Sequence, residues 1–189
     1  MITQETQRVG QQLDEIGHAL TSFEQLGIEQ YEALAIDLVT AIRSTDQYRE
    51  ANETGRTGML MFREDAPLEA GRSLAQPVVE TLFAGRAEAI RAMGMYAVNH
   101  YEEGDFFNPH QDHFDGTVMI MTPMGRRKFD VYRKEPEDDV FKEVSHSYDL
   151  GPGSIVLLNG YRNLGHAAKC IEGPSISVVA DVPVAMNVK

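Results

Sequence analysis

Residues 99–115 read Asn99-His100-Tyr101-Glu102-Glu103-Gly104-Asp105-Phe106-Phe107-Asn108-Pro109-His110-Gln111-Asp112-His113-Phe114-Asp115. Within this stretch His110 and Asp112 stand two residues apart. On an extended strand side chains alternate with period two, so the imidazole and the carboxylate share one face. Two such ligands and a third from elsewhere make a two-His-one-carboxylate set, the arrangement that holds non-haem Fe(II) and leaves coordination positions open. The overlapping pair His113 and Asp115 has the same form. It cannot share that face without a bend in the strand, so His113 is read as a supporting or surface residue.

The third ligand is sought downstream. His146 and His166 could each close the set by sequence alone. His146 precedes the turn Asp149-Leu150-Gly151-Pro152-Gly153, whereas His166 follows the apolar run Ser154 to Leu158. Gly151-Pro152-Gly153 is a tight turn and not a phosphate cradle, because no Lys-Ser/Thr and no helix signal follow it.

Outward from this stretch the chain divides by periodicity. Thr3–Ile16 reads as a polar helix broken at Gly17, and His18–Thr21 as a short strand. Ile28–Arg43 carries Tyr31, Leu34, Ala35, Leu38, Ala41 and Ile42 at the three-four spacing of one buried stripe. After a Thr-, Asn- and Gly-rich turn over Asn52–Gly58, Met59–Phe62 reads as a strand. Leu74–Met93 reads as a second strong helix with Pro77 in its first turn. From Met95 onward, short apolar runs alternate with Gly, Pro and charges: Met95–Tyr101, Val118–Thr122, Phe129–Arg133, Ser145–Asp149, Ser154–Leu158 and Ser175–Val182. That spacing predicts an antiparallel sandwich or barrel. The fold class is α+β, mainly β: a jelly-roll core over 95–184 with a helical N-terminal buttress over 1–94 packed on one sheet, all one domain, 1–189.

Composition bounds the function. The 189 residues are 42% hydrophobic and 24% charged, an ordinary globular balance. No run approaches a membrane span, and the first residues lack a basic-then-apolar signal pattern. The single cysteine, Cys170, has no internal partner for a disulfide, so the expectation is a reducing, cytoplasmic setting. Seventeen basic against 29 acidic residues leave a net charge of −12, which repels phosphate backbones and makes nucleic acid an unlikely partner. Part of the acidity is local, at Glu135, Glu137, Asp138, Asp139 and Glu143, and reads as a solvated loop. Arg126, Arg127, Lys128, Arg133 and Lys134 just before it could form a local basic groove. The nine methionines read as core filler.

The run Tyr101-x-x-Gly104…Pro109-His110-x-Asp112 resembles the prolyl 4-hydroxylase type of Fe(II)/2-oxoglutarate-dependent dioxygenases. Asn99-x-Tyr101-x-x-Gly104-x5-His110-Gln111-Asp112 is similar to the nucleobase demethylases of the same superfamily. The resemblance covers Met95 to Val184 and implies a double-stranded β-helix. It further implies Fe(II) held by His110, Asp112 and His166, with 2-oxoglutarate as cosubstrate and Asn99 and Tyr101 helping to hold it. The superfamily places an Arg or Lys on the last core strand, but Ser175–Asp181 contains none, and the two demethylase arginines are also absent. The cosubstrate carboxylate must then meet another cation. Some relatives anchor it from an earlier strand, and within Arg126–Lys128 strand parity selects Arg127, in phase with apolar Phe129 and Val131. The expected activity is hydroxylation or oxidative demethylation of a small molecule, amino acid or peptide side chain. The alternatives are a jelly-roll metal or small-ligand binding protein without turnover, and a nucleic-acid demethylase.

Overall fold

A computed structural model of the chain describes residues 3–45, 60–62, 65–111, 116–134, 141–162 and 164–183. Asp112, His113 and Asp115, the Asn52–Gly58 turn, and Glu135, Glu137, Asp138 and Asp139 lie outside them. Helix α1 (Gln4–Ile16) starts where the Thr3 hydroxyl accepts the Thr6 amide and stops at Gly17, whose φ of 84° only glycine adopts freely. Strand β1 (His18–Ser22) follows, then α2 (Tyr31–Ser44), which buries Ala35, Leu38 and Ile42 at the expected spacing. Strand β2 (Leu60–Phe62) precedes α3 (Asp65–Leu82) and α4 (Ala87–Ala92).

The single helix expected over Leu74–Met93 is therefore two helices. Its first part begins nine residues earlier than expected, and Pro77 lies in the interior of α3 and not in the first turn. Burial of Leu74, Val78 and Leu82 against the sheet outweighs the hydrogen bond that the proline removes. The break comes where the Gly85 amide bonds back to the Glu80 carbonyl with Ala84 and Gly85 at positive φ.

The described residues form eight strands: β3 (Gly94–Tyr101), β4 (Phe106–Gln111), β5 (Thr117–Lys134), β6 (Phe141–Leu150), β7 (Ser154–Asn159) and β8 (Gly165–Val182) join β1 and β2. All pairings are antiparallel. Runs expected as separate strands, Val118–Thr122 and Phe129–Arg133, are two halves of β5, and Ser175–Val182 is the second half of β8. Each of these long strands bends and crosses between two layers. The first half of β5 pairs with β7 and its second half with β6; the second half of β8 pairs with β3 and its first half with β4. At the bend Gly125 lies so close to β8 that a Cβ would sit 2.5 Å from the Ser175 Cα.

Two apolar clusters fill the structure. Val118, Ile120, Val156 and Val179 of one layer meet Phe129, Val131, Leu150 and Ala168 of the other. On the opposite face of the first layer, Met119, Met121, Ile155, Val178 and Ala180 pack against α1, α2 and α3. The architecture is a double-stranded β-helix with helices on one sheet, as the alternation predicts. No helix among the described residues is long and apolar enough to cross a membrane.

Candidate metal and cosubstrate site

Strand pairing brings the two nominated histidines together. His110 of β4 lies directly opposite His166 of β8, which in turn is paired with Val131 of β5. Their rings are 4.3 Å apart between centroids. His110 Nδ1 is 2.8 Å from the Asn108 carbonyl oxygen. A carbonyl only accepts, so that contact puts the proton of the neutral ring on Nδ1. His166 is buried, with its ring stacked on Phe129 at 5.4 Å. Burial and the neighbouring His110 push its pKa down to about 3, while a backbone hydrogen bond with Leu164 pulls the other way. The ring is thus neutral at ordinary pH, the form that coordinates metals.

Both imidazoles line one cavity between the two layers, and Asn99, Tyr101 and Arg127 line the same cavity. The described residues contain no three His, Cys, Asp or Glu side chains that could hold a metal, and Asp112, the nominated carboxylate, lies beyond them. His146 is elsewhere. It borders a second cavity with His18, Glu15 and Arg162, with its ring 5.2 Å from that of His18 and 4.4 Å from that of Tyr148.

Arg127 is among the largest fully buried side chains of the described residues, at 1% exposure. Parity places it: Lys128 is exposed and 3.5 Å from Asp130, and Arg126 pairs with Asp149 at 2.6 Å, while Arg127 faces inward with Phe129. Its Nη2 donates to Thr122 Oγ1 at 2.6 Å, and its guanidinium carbon lies 5.4 Å from the Tyr101 ring centre. Among the described residues no carboxylate pairs with it, and its Nε has no hydrogen-bond acceptor. Burial therefore holds the guanidinium below its usual range, and Tyr101 opposes the shift. Tyr101, at 1% exposure, has its phenol pushed up by burial, against hydrogen bonds from Ser177, Arg127 and Asn99. Asn99 Nδ2 donates to Ser177 Oγ at 3.2 Å, which leaves Asn99 Oδ1 without a partner.

The cavity is ordered along its length. Arg127 is opposite Cys170, and the His166 level is four residues further along β5, about 13 Å at strand rise. A guanidinium without a carboxylate partner among the described residues stands at one level, and two imidazoles stand at the other. Thr122, Ser177, Tyr96 and Phe107 belong to the site without having been singled out in the sequence.

No protein-family model matches the chain, and none of the curated proteins matches it. Among solved structures, a prolyl-4-hydroxylase from Pseudomonas putida superposes with a TM-score of 0.51 at 14% identity, over 95% of this chain and 98% of that one. The Escherichia coli ribosomal oxygenase YcfD, in complex with cobalt and 2-oxoglutarate, gives a TM-score of 0.45 at 23% identity over 61% of this chain. The match spans 29% of the YcfD chain, less than a third of its length. From nearly end to end, the chain shares the double-stranded β-helix fold of the P. putida enzyme.

Proposed function

We propose that the protein is a non-haem Fe(II)- and 2-oxoglutarate-dependent dioxygenase that hydroxylates or oxidatively demethylates a small molecule, amino acid or peptide side chain. The observation that carries this reading is Arg127: a fully buried guanidinium with no carboxylate beside it among the described residues, in one cavity with two facing imidazoles. An unpaired buried charge costs several kcal/mol, so such a site is built for an incoming anion. A short dicarboxylate reaching from the imidazole pair toward Arg127 meets the need at both ends.

His110 and His166, with Asp112, would hold the metal. Bound there, Fe(II) would supply oxygen activation, the chemistry the side chains themselves lack. Arg127 grips the distal carboxylate through its planar fork, steadied by Thr122 and Tyr101. Asn99 Oδ1 and Tyr101 offer further polar contacts, and Phe129, Ile120, Ala168 and Val179 keep water from the reacting end. Against nucleic-acid demethylation, among the described residues of the basic cluster Arg126 pairs with Asp149, Lys128 lies beside Asp130, and Arg127 is internal.

The test is succinate formation from 2-oxoglutarate by purified protein. The proposal expects turnover that requires both Fe(II) and O2 and is abolished in His166→Ala. Binding of 2-oxoglutarate without any oxygen-dependent succinate favours the binding-protein alternative.

A further inference from the structure

Two strand irregularities decide what else enters the cavity. Along β3, Met95 pairs with Ala180 and Ala97 with Val179, so Tyr96 has no residue opposite it on β8. From Ala97 on, Asn99 and Tyr101 face the cavity and Val98 faces the helices. Unbroken alternation would turn Tyr96 toward the helices. The bulge reverses this: Met95 packs on the helix side, and Tyr96 lines the cavity at 38% exposure. Along β4, Phe107 pairs with Ala168 and His110 with His166, three residues against two on β8. This bulge, which contains Pro109, puts Phe107 and His110 on one face with rings 3.9 Å apart. Two aromatic rings are thus aimed into the same cavity as the imidazoles by local departures from regular strand.

Between them lie Ile120, Phe129, Ala168 and Val179. Apart from the histidines, the only ionisable group among the described lining residues that is charged at neutral pH is Arg127, four residues along β5 from the His166 level. A charged group pushed into the aromatic section would lose its hydration, and the described lining residues there offer no counter-charge in its place. We propose that Tyr96 and Phe107 form a substrate slot for an uncharged, carbon-rich group, with Tyr96 as the specificity-determining residue. This rests on the function proposed above and names its substrate class: a neutral aliphatic or ring-bearing side chain or small molecule, as opposed to an ammonium, guanidinium or carboxylate. Tyr96 sits at the mouth and Phe107 beside His110, so the group would pass the phenol before reaching the imidazoles.

The test uses full-length protein loaded with Mn(II) and 2-oxoglutarate without oxygen, and three probes: N-acetyl-leucine amide, N-acetyl-lysine amide and N-acetyl-glutamate amide. Paramagnetic relaxation of the probe side-chain protons reports approach to the metal. The slot predicts saturable relaxation for the leucine probe, with affinity at least about tenfold above either charged probe. It predicts a roughly tenfold loss of that affinity in Tyr96→Ala and near-retention in Tyr96→Phe, because ring contact and not the hydroxyl carries the effect. A charged probe that binds as tightly, unchanged binding in Tyr96→Ala, or no approach by any probe overturns the slot. A protein that binds neither Mn(II) nor 2-oxoglutarate in the same samples overturns the proposed function and the slot with it.

Discussion

Replacing Arg127 with methionine should make the ligand-free protein more stable and its cosubstrate binding worse. The guanidinium is 1% exposed and hydrogen-bonds to Thr122 and Tyr101, but among the described residues it has no carboxylate partner and its Nε has no acceptor. A methionine fills similar space with no charge to desolvate, and exchanging buried charges for apolar residues gains about 1–4 kcal/mol where compensation is poor. For a chain of this size that is a rise in Tm of roughly 2–16 °C. The same change removes the cation that meets the distal carboxylate, a loss of about 2–5 kcal/mol in binding, or roughly 30- to 5,000-fold in Kd. Thermal melts of the Zn(II)-loaded proteins, with and without saturating 2-oxoglutarate, read both effects. Wild type should melt lower without ligand and rise on adding it; Arg127→Met should start higher and barely move. A variant that melts below wild type while keeping the full ligand shift would refute the reasoning, because Arg127 would then be a structural prop and not an anchor.

His110→Ala and His166→Ala should each weaken Fe(II) binding by more than about 100-fold, while His146→Ala, in its separate cavity, leaves it unchanged in equilibrium dialysis. Gly125→Ala should destabilise the fold by about 2–5 kcal/mol in urea melts, since its φ of 77° disfavours a side chain and the new Cβ meets β8 backbone at 2.5 Å. His18 has its pKa lowered to about 4 by burial and by His146, and its Nδ1 lies 2.6 Å from the Tyr148 hydroxyl. Its folded pKa lies below the unfolded value, so its contribution is complete above about pH 6.5 and is lost as pH falls toward 4, by up to about 3 kcal/mol. Stability measured across that range should therefore fall less steeply in His18→Gln than in wild type.

Alternation is what the sequence displays most openly, and it is enough to put Arg127 on the inner face of β5. Phe129 and Val131 mark the inner face of β5, and Arg127 shares their phase while Lys128 does not. Asn99 and Tyr101 share a face for the same reason. The pairing of His110 with His166 follows from strand order, which the spacing of apolar runs suggests but does not number. Tyr96 and Phe107 were illegible because a bulge is a property of two strands in register, and a single strand read alone gives the opposite face for Tyr96. Pro109 was the one local hint, since a residue without an amide hydrogen cannot continue a regular ladder. The bends at Gly125 and near Gly173 look like strand ends in sequence, yet β5 and β8 run on through them into the second layer. Pro77 misled for a related reason: tertiary burial of Leu74, Val78 and Leu82 carried α3 across a residue that local propensity places at a helix start.

The most direct measurement is an anaerobic titration of the Fe(II)-loaded protein with 2-oxoglutarate, followed by the visible charge-transfer absorption that arises when a 2-keto acid chelates ferrous iron. The account predicts a band that saturates at one equivalent in wild type, is absent in His166→Ala, and demands much higher 2-oxoglutarate in Arg127→Met. A wild-type protein that binds Fe(II) yet shows no band at any 2-oxoglutarate concentration would contradict it.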